Sequence, residues 1–204
     1  MNLPTLSALA LALGALSSTV LAQAAVTGAP ELAQPAKAVP TQTPHKKMDR
    51  LVIQGLASKL PSGWTPTAPS NSMRVAQFEV SAGAGAQSGE LVAYFFAPRQ
   101  GGGHEANIGR WASQFTGAQG KPVTPKVSTS KHGSTEVTLV ELQGNYARGV
   151  GMGPAGDAKP DQALLTAMIE TPVGRITLQM HGSVKTVAAH RARFLNFAKG
   201  FRPA

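Results

Sequence analysis

Residues 163–200 read ALLTAMIETPVGRITLQMHGSVKTVAAHRARFLNFAKG and carry the strongest fold signal in the chain. Two apolar-rich segments flank Pro172-Val173-Gly174, a tight turn that allows only antiparallel pairing of the strands on either side. Ser183 is a favourable N-cap residue, and the amphipathic pattern after it predicts a helix over 184–199. The stretch therefore predicts an antiparallel hairpin followed directly by a helix.

The same kind of periodicity predicts more strands upstream. Residues 73–80 alternate strictly, with Arg74 on the same face as Ala76 and Phe78, which is typical of a half-buried strand. Residues 91–97, LVAYFFA, form a continuous apolar run that predicts a strand buried on both faces, paired with the preceding strand in an antiparallel hairpin. Further predicted segments are strands at 51–53, 126–131, 136–142, 163–170 and 175–181, a turn at 61–64 and a loop at 144–159.

A second helix is predicted over 105–115, after a loop that ends in three glycines. Ile108, Trp111, Ala112 and Phe115 follow the i, i+3, i+4, i+7 spacing of one helix face. The element order is strands, helix, strands, helix, with short connections between the strands. This order predicts an α+β fold, an antiparallel sheet of six or seven strands with two packed helices.

The amino-terminal part of the chain has the pattern of a targeting segment. Residues 6–22 are apolar and uncharged, and Ala22-Gln23-Ala24 fits a signal-peptidase site, so residues 1–24 are predicted to be a cleaved signal peptide. A membrane anchor is the alternative. Residues 25–47 are rich in Pro and Ala and are expected to be a flexible linker or a propeptide. Residues 48–204 then form a single domain, exported to the periplasm or the medium and soluble after cleavage.

Charge and composition narrow the function classes. The 204 residues include no cysteine, which excludes disulfides, thiolate metal sites and cysteine nucleophiles. The formal net charge is +9, and no acidic residue follows position 170. The last predicted helix and its end therefore offer a candidate anion-binding surface, for which a solvated face is the alternative. Its residues are Arg191, Arg193, Lys199 and Arg202.

A basic surface on an exported protein suggests an anionic partner. Acidic lipid head groups or anionic envelope polymers are the expected targets outside the cytoplasm. Nucleic acid is not expected, because no basic motif interleaved with aromatic residues supports base stacking.

Asn107, Arg110 and Gln114 are the candidate ligand-binding residues on the predicted helix at 105–115. Their spacing places them on one polar strip beside the apolar face. In one interpretation Arg110 binds a carboxylate or phosphate with help from the two amides. In the other, which the spacing leaves open and we favour, these side chains bond a sheet edge or the nearby loop. Gly101-Gly102-Gly103 similarly allows an anion cradle, although a flexible loop is the commoner case.

Catalytic and metal motifs are not recognised in the sequence. The five histidines lack metal-ligand spacing, and there is no G-x-S-x-G nucleophile motif. His190 falls near the buried stripe of the last predicted helix, where a hydrogen-bonded structural imidazole is the expected role. We therefore predict no catalytic residue, no metal and no cofactor, and expect a protein that is not an enzyme.

Several stretches of the sequence, including also 72–78 and 144–146, together resemble a known family. Residues 105–115 read EANIGRWASQF, and with Pro61-Ser62-Gly63-Trp64 and the segments 167–174 and 182–187 they resemble a family of exported bacterial proteins of unassigned function. More distantly, the layout is similar to the PsbP and Mog1 fold, which implies an accessory or binding module without a catalytic motif.

The resemblance leaves three functional hypotheses. The first is an exported, non-enzymatic accessory or binding protein of the bacterial periplasm or cell envelope. The second is a module that binds polyanions or anionic surfaces through the basic last helix. The third is a hydrolase with an unrecognised site. A pocket beside the helix at 105–115 is the feature that would best distinguish a binding function.

Overall fold

The computed structural model describes residues 48–82, 86–147 and 156–204, all in one compact unit. The predicted signal peptide at 1–24 and the predicted linker at 25–47 lie outside the described residues. The elements are β1 (Arg50–Ile53), β2 (Leu56–Lys59), β3 (Trp64–Thr67), β4 (Arg74–Val80), β5 (Gly89–Phe96), α1 (His104–Ala112), β6 (Phe115–Thr116), a 3₁₀ turn (Ala118–Gly120), β7 (Lys126–His132), β8 (Thr135–Tyr146), β9 (Lys159–Thr171), β10 (Gly174–Ser183), α2 (Val184–Ala198) and β11 (Arg202–Pro203).

Two antiparallel sheets make up the architecture. The main sheet has the order β3-β4-β5-β10-β9-β8-β6, with β7 also paired to β8, and the small sheet has the order β1-β2-β11. Within the described residues, the α+β fold class with two helices is confirmed. In the same ranges the main sheet has eight strands, one more than the upper end of the predicted range. The additional short strands, such as the two residues of β6, are too short to show a periodic pattern.

The hairpin predicted around Pro172 is confirmed, with longer strands than expected. β9 and β10 pair from Gly174↔Thr171 to Ser183↔Gln162. β8 and β9 also extend into the segment predicted as a loop at 144–159, since β8 ends at Tyr146 and β9 begins at Lys159. Register across a sheet is set by pairing with neighbours, so strand ends are the part that local periodicity predicts least well.

Helix α2 covers one face of the main sheet. Ser183 is its N-cap, and the Ser183 hydroxyl accepts a hydrogen bond from the Thr186 amide. The apolar stripe of α2 packs against residues that alternate along the central strands, and these side chains form the larger core. The core includes Leu91, Ala93, Leu165, Ala167, Ile169, Ile176, Leu178 and Met180 of the sheet, and Val187, Phe194 and Phe197 of α2.

His190 has the structural role expected of it. It is 4% exposed, its Nδ1 accepts a hydrogen bond from Trp64 Nε1 at 3.1 Å, and its Nε2 lies 2.9 Å from the Ser81 carbonyl oxygen. Because Nδ1 accepts, the imidazole is neutral and the proton is on Nε2, which donates to Ser81. Trp64 also meets Phe197 edge to face, so His190 links β3 to the α2 core.

Helix α1 covers only part of the opposite face. Trp111 packs with buried side chains of β8 and β9 in a second, smaller core. The helix ends at Ala112, three residues before the predicted end, and Phe115 lies in β6 although it packs in the same core. The other members of this core are Val140, Leu142, Leu164 and Met168. In the part of the chain that the structure describes, no helix is long and apolar enough to cross a membrane.

Candidate functional site

A groove lies beside α1 on the sheet face that α2 does not cover. Its volume is about 930 Å³, and the predicted residues Asn107, Arg110 and Gln114 all line it. The floor comes from alternate residues of β5 and β10, which pair directly across the sheet, Tyr94 with Thr177 and Val92 with Gln179. A pocket therefore lies beside the helix whose polar strip was predicted to bind a ligand.

The floor is aromatic and apolar along β5. Val92 is buried, whereas Tyr94 and Phe96 are half-buried and line the groove. The two ring centroids lie 6.3 Å apart with planes 17° from parallel, so the rings form a stacked pair. The prediction that this strand is buried on both faces is wrong for these two residues. A continuous apolar run is equally compatible with a full core and with an apolar binding face.

A β-bulge brings Arg74 into the groove. The register between β4 and β5 shifts between Arg74 and Ala76, so Ala76 opposes Ala93 while Arg74 opposes Tyr94. The strict alternation predicted for 73–80 placed Arg74 on the core face with Ala76 and Phe78, and that placement is wrong. The extra residue in a bulge reverses the side of the strand on which the preceding side chain lies.

Arg74 is a buried cation in the groove wall. Its side chain is 5% exposed, and Nη1 donates to Glu90 Oε1 at 2.9 Å and to Gln77 Oε1 at 2.8 Å. Its Nε is buried and has no hydrogen-bond partner in the structure. A buried charged group of this kind is retained at a cost unless its donors are satisfied.

The residues of the polar strip of α1 have different roles: Asn107 bonds the preceding loop, whereas Arg110 and Gln114 lie in the groove wall. Asn107 is buried and its Nδ2 donates to the carbonyl oxygens of Gly101 and Gly103, both at 2.8 Å. Asn107 Oδ1 accepts from Arg110 Nη2, and Arg110 is exposed at the groove. The favoured interpretation, bonding to the nearby loop, describes Asn107. For Arg110 and Gln114 the structure gives a position in the groove wall, and their binding role stays a prediction.

An ion-pair cluster that sequence patterns did not indicate fixes the start of α1. His104 Nε2 lies 2.8 Å from Glu170 Oε1, and Arg175 donates to Glu170 through Nε and to the Gly102 carbonyl oxygen through Nη1. Burial raises the pKa of the Glu170 carboxyl, but the hydrogen bonds from His104 and Arg175 outweigh it and hold that pKa below its ordinary value. Glu170 and His104 are 66 positions apart, so no local spacing could reveal the contact.

The glycines before α1 are needed for the shape of the loop. Gly101 and Gly102 have φ angles of +78° and +71°, and a Cβ on Gly101 would lie 2.6 Å from the Phe96 ring. The carbonyl oxygens of Gly101 and Gly103 already accept hydrogen bonds from Asn107. The loop therefore positions α1 against the groove floor.

Two of the basic carboxy-terminal residues, Arg191 and Arg202, form hydrogen bonds within the protein. Arg191 bonds both carboxylate oxygens of Glu141 on β8, at 2.7 and 2.9 Å, and Arg202 donates to the carbonyl oxygens of Lys199 and Phe201. The hydrogen bond from Arg191 lowers the pKa of Glu141 below its ordinary value. Counting charges along the carboxy-terminal sequence alone therefore overestimated the uncompensated positive charge, because Glu141 of β8 neutralises Arg191. Arg193 is exposed and Lys199 is half-buried.

The features that would favour a hydrolase are few in the described residues. Ser130 Oγ lies 3.0 Å from His132 Nε2, but both belong to the exposed strand β7 and neither lines the groove. No carboxylate is bonded to His132 within the described ranges. In the same ranges no group of three or more His, Asp and Glu side chains is placed to hold a metal ion.

Solved structures include chains that are similar to this one. The chain is similar to PsbP (CyanoP) from Synechocystis sp. PCC 6803, with a TM-score of 0.50 and 10% identity over 76% of this chain and 91% of that one. It is also similar to the protein PA94 of unknown function from Pseudomonas aeruginosa, with a TM-score of 0.46 and 12% identity over 76% and 96% of the two chains. No protein-family model and no curated protein sequence matches the chain. The fold is thus PsbP-like.

Proposed function

We propose that the protein is an exported, non-enzymatic binding or accessory protein of the bacterial envelope, and that the groove beside α1 is its binding site. The observation that carries the proposal is the groove of about 930 Å³ with an apolar aromatic floor and a polar wall. Small-molecule sites in proteins have volumes of roughly 300–1,000 Å³ and this mixture of surfaces. Export is supported by the apolar run at 6–22 and by Ala22-Gln23-Ala24.

The arrangement of charges in the groove supports binding over catalysis. The Glu90 carboxylate accepts a hydrogen bond from Arg74, which does not favour a role for Glu90 as a general base toward a substrate. A general acid or base is recognised by a hydrogen-bonding position beside a nucleophile or a second titrating group. In the described part of the groove lining, aromatic and apolar side chains are combined with polar ones, among them Asp157, Tyr146 and His181, which is the composition of a recognition surface.

A chemically diverse library of small molecules, screened by ligand-observed NMR, tests the proposal. Ala106 is exposed on α1 and lines the groove, so Ala106→Trp should obstruct it without disturbing the core. Ala188 is an exposed alanine of α2 outside the groove lining, so Ala188→Trp is the matched control. We expect bound molecules that are displaced by Ala106→Trp and retained by Ala188→Trp. Binding that ignores Ala106→Trp would place the site elsewhere.

A further inference from the structure

We propose that the groove binds small organic monoanions, in which a carboxylate lies at Arg110 and a flat apolar body lies on Tyr94 and Phe96. This inference rests on the proposed function and names the ligand class for the same groove. It follows from three features of the groove, namely the way Arg110 is held, the net charge of the lining and the shape of the floor.

Arg110 is an oriented guanidinium without an acidic partner. Asn107 is fixed by two hydrogen bonds to the glycine loop, and its Oδ1 accepts from Arg110 Nη2. In the described part of the chain, Arg110 makes no ion pair, and its Nη1 and Nε bond no protein atom. A guanidinium held at one edge keeps its other donors in the planar arrangement that matches a carboxylate. Orientation before binding also reduces the entropy lost on binding.

The charges of the lining favour an anion of low charge. The described lining contains three Arg and Lys side chains and two carboxylates. Arg74 and Glu90 neutralise each other, and Arg74 still has a buried Nε without a hydrogen-bond partner. Among the remaining charged lining residues, Arg110 and Lys159 outnumber Asp157, which leaves an excess of one positive charge. A monoanion balances this excess, and a cation would add to it.

The floor favours a planar body on the anion. Tyr94 and Phe96 have nearly parallel rings, and Phe96 is backed by Gly101, whose missing side chain lets the loop approach the ring. Val92 continues the apolar surface toward the interior of the sheet. A flat apolar group on these rings would be removed from water on one side, and stacked rings contribute about 0.5–1.5 kcal/mol beyond the buried area.

A set of probes that share the naphthyl group and differ in charge separates the effect of charge from that of apolar contact. 2-Naphthoate, the neutral 2-naphthamide and the cationic 2-naphthylmethylammonium are titrated into the full domain by protein-observed NMR. Charged hydrogen bonds contribute about 1.5–3 kcal/mol, so naphthoate should bind roughly 10- to 100-fold more tightly than naphthamide. Arg110→Gln should remove that difference. Arg50→Gln, which changes an exposed arginine of β1 outside the groove lining, should leave that difference unchanged.

The outcomes distinguish this inference from the proposed function. Naphthoate binding that Arg110→Gln weakens and Ala106→Trp abolishes supports both. Naphthamide binding as tightly as naphthoate, or naphthoate binding that is insensitive to Arg110→Gln, overturns the monoanion assignment and leaves the groove as a binding site. No bound molecule in either the probe set or the library overturns both. Thermal denaturation midpoints close to that of the parent show that each variant is folded, and Arg110→Lys adds a folded variant that keeps the charge without the planar donors.

Discussion

Replacement of Trp111 by Ala is expected to destabilise the domain strongly. Trp111 is 5% exposed and is the buried apolar side chain that α1 contributes to the second core, together with Leu142, Leu164 and Phe115. Removal of a buried aromatic ring costs about 3–5 kcal/mol, because apolar area is lost and a cavity remains. Domains are typically stable by about 5–15 kcal/mol, so this change removes roughly a fifth or more of that stability.

Urea denaturation followed by Trp64 fluorescence measures the effect, since Trp64 is the second of the two tryptophans and lies in the other core. With a slope near 2 kcal/mol per molar urea, the midpoint should fall by about 2 M. Ile108→Ala, a half-buried position on the same helix, is the control and should shift the midpoint clearly less. A loss of less than about 1 kcal/mol for Trp111→Ala would show that α1 does not depend on this contact.

Two further changes test the loop before α1 and the basic carboxy-terminal region. Gly101→Ala should destabilise the domain by more than about 1 kcal/mol, because the φ of Gly101 is positive and an added Cβ would overlap the Phe96 ring. Gly103→Ala is the control in the same urea experiment and should be close to neutral, because Gly103 has a negative φ and open space around it. Arg191→Gln should cost about 0.2–1 kcal/mol at neutral pH, since Arg191 is partly exposed. The folded pKa of Glu141 is lowered, so this difference is full above its ordinary value of 4.5 and disappears as the pH falls through the lowered pKa; a pH-independent difference would contradict the ion pair.

The elements that the sequence predicted well are those specified by local pattern. The hairpin around Pro172 and the helix after Ser183 follow from a turn, a cap and a periodic stripe, all readable within a few residues. The helix before β6 was also recognised, although Phe115 continues its apolar period beyond the true end. Phe115 is placed by pairing with Tyr146 instead, and pairing is a property of the tertiary structure.

The groove itself depended on contacts that no local pattern contains. The apolar run at 91–97 has the same composition whether its second face meets a helix or a ligand. Arg74 reaches the groove because of a register shift against β5, and a shift is defined only by the partner strand. Arg191 forms an ion pair with Glu141, which lies 50 positions away in the sequence. In each case the missing information was which residues lie opposite one another in the sheet.

The groove follows from the unequal cover that the two helices give the sheet. A helix with its side chains is about 10–12 Å across and neighbouring strands lie about 4.8 Å apart, so one helix covers roughly two strands. Helix α1 has nine residues and packs on β8 and β9, which leaves the same face of β4, β5 and β10 uncovered. An uncovered sheet face usually carries polar side chains, yet here β5 presents two aromatic rings. The aromatic floor and the oriented arginine together distinguish this uncovered face from an ordinary solvent-exposed sheet.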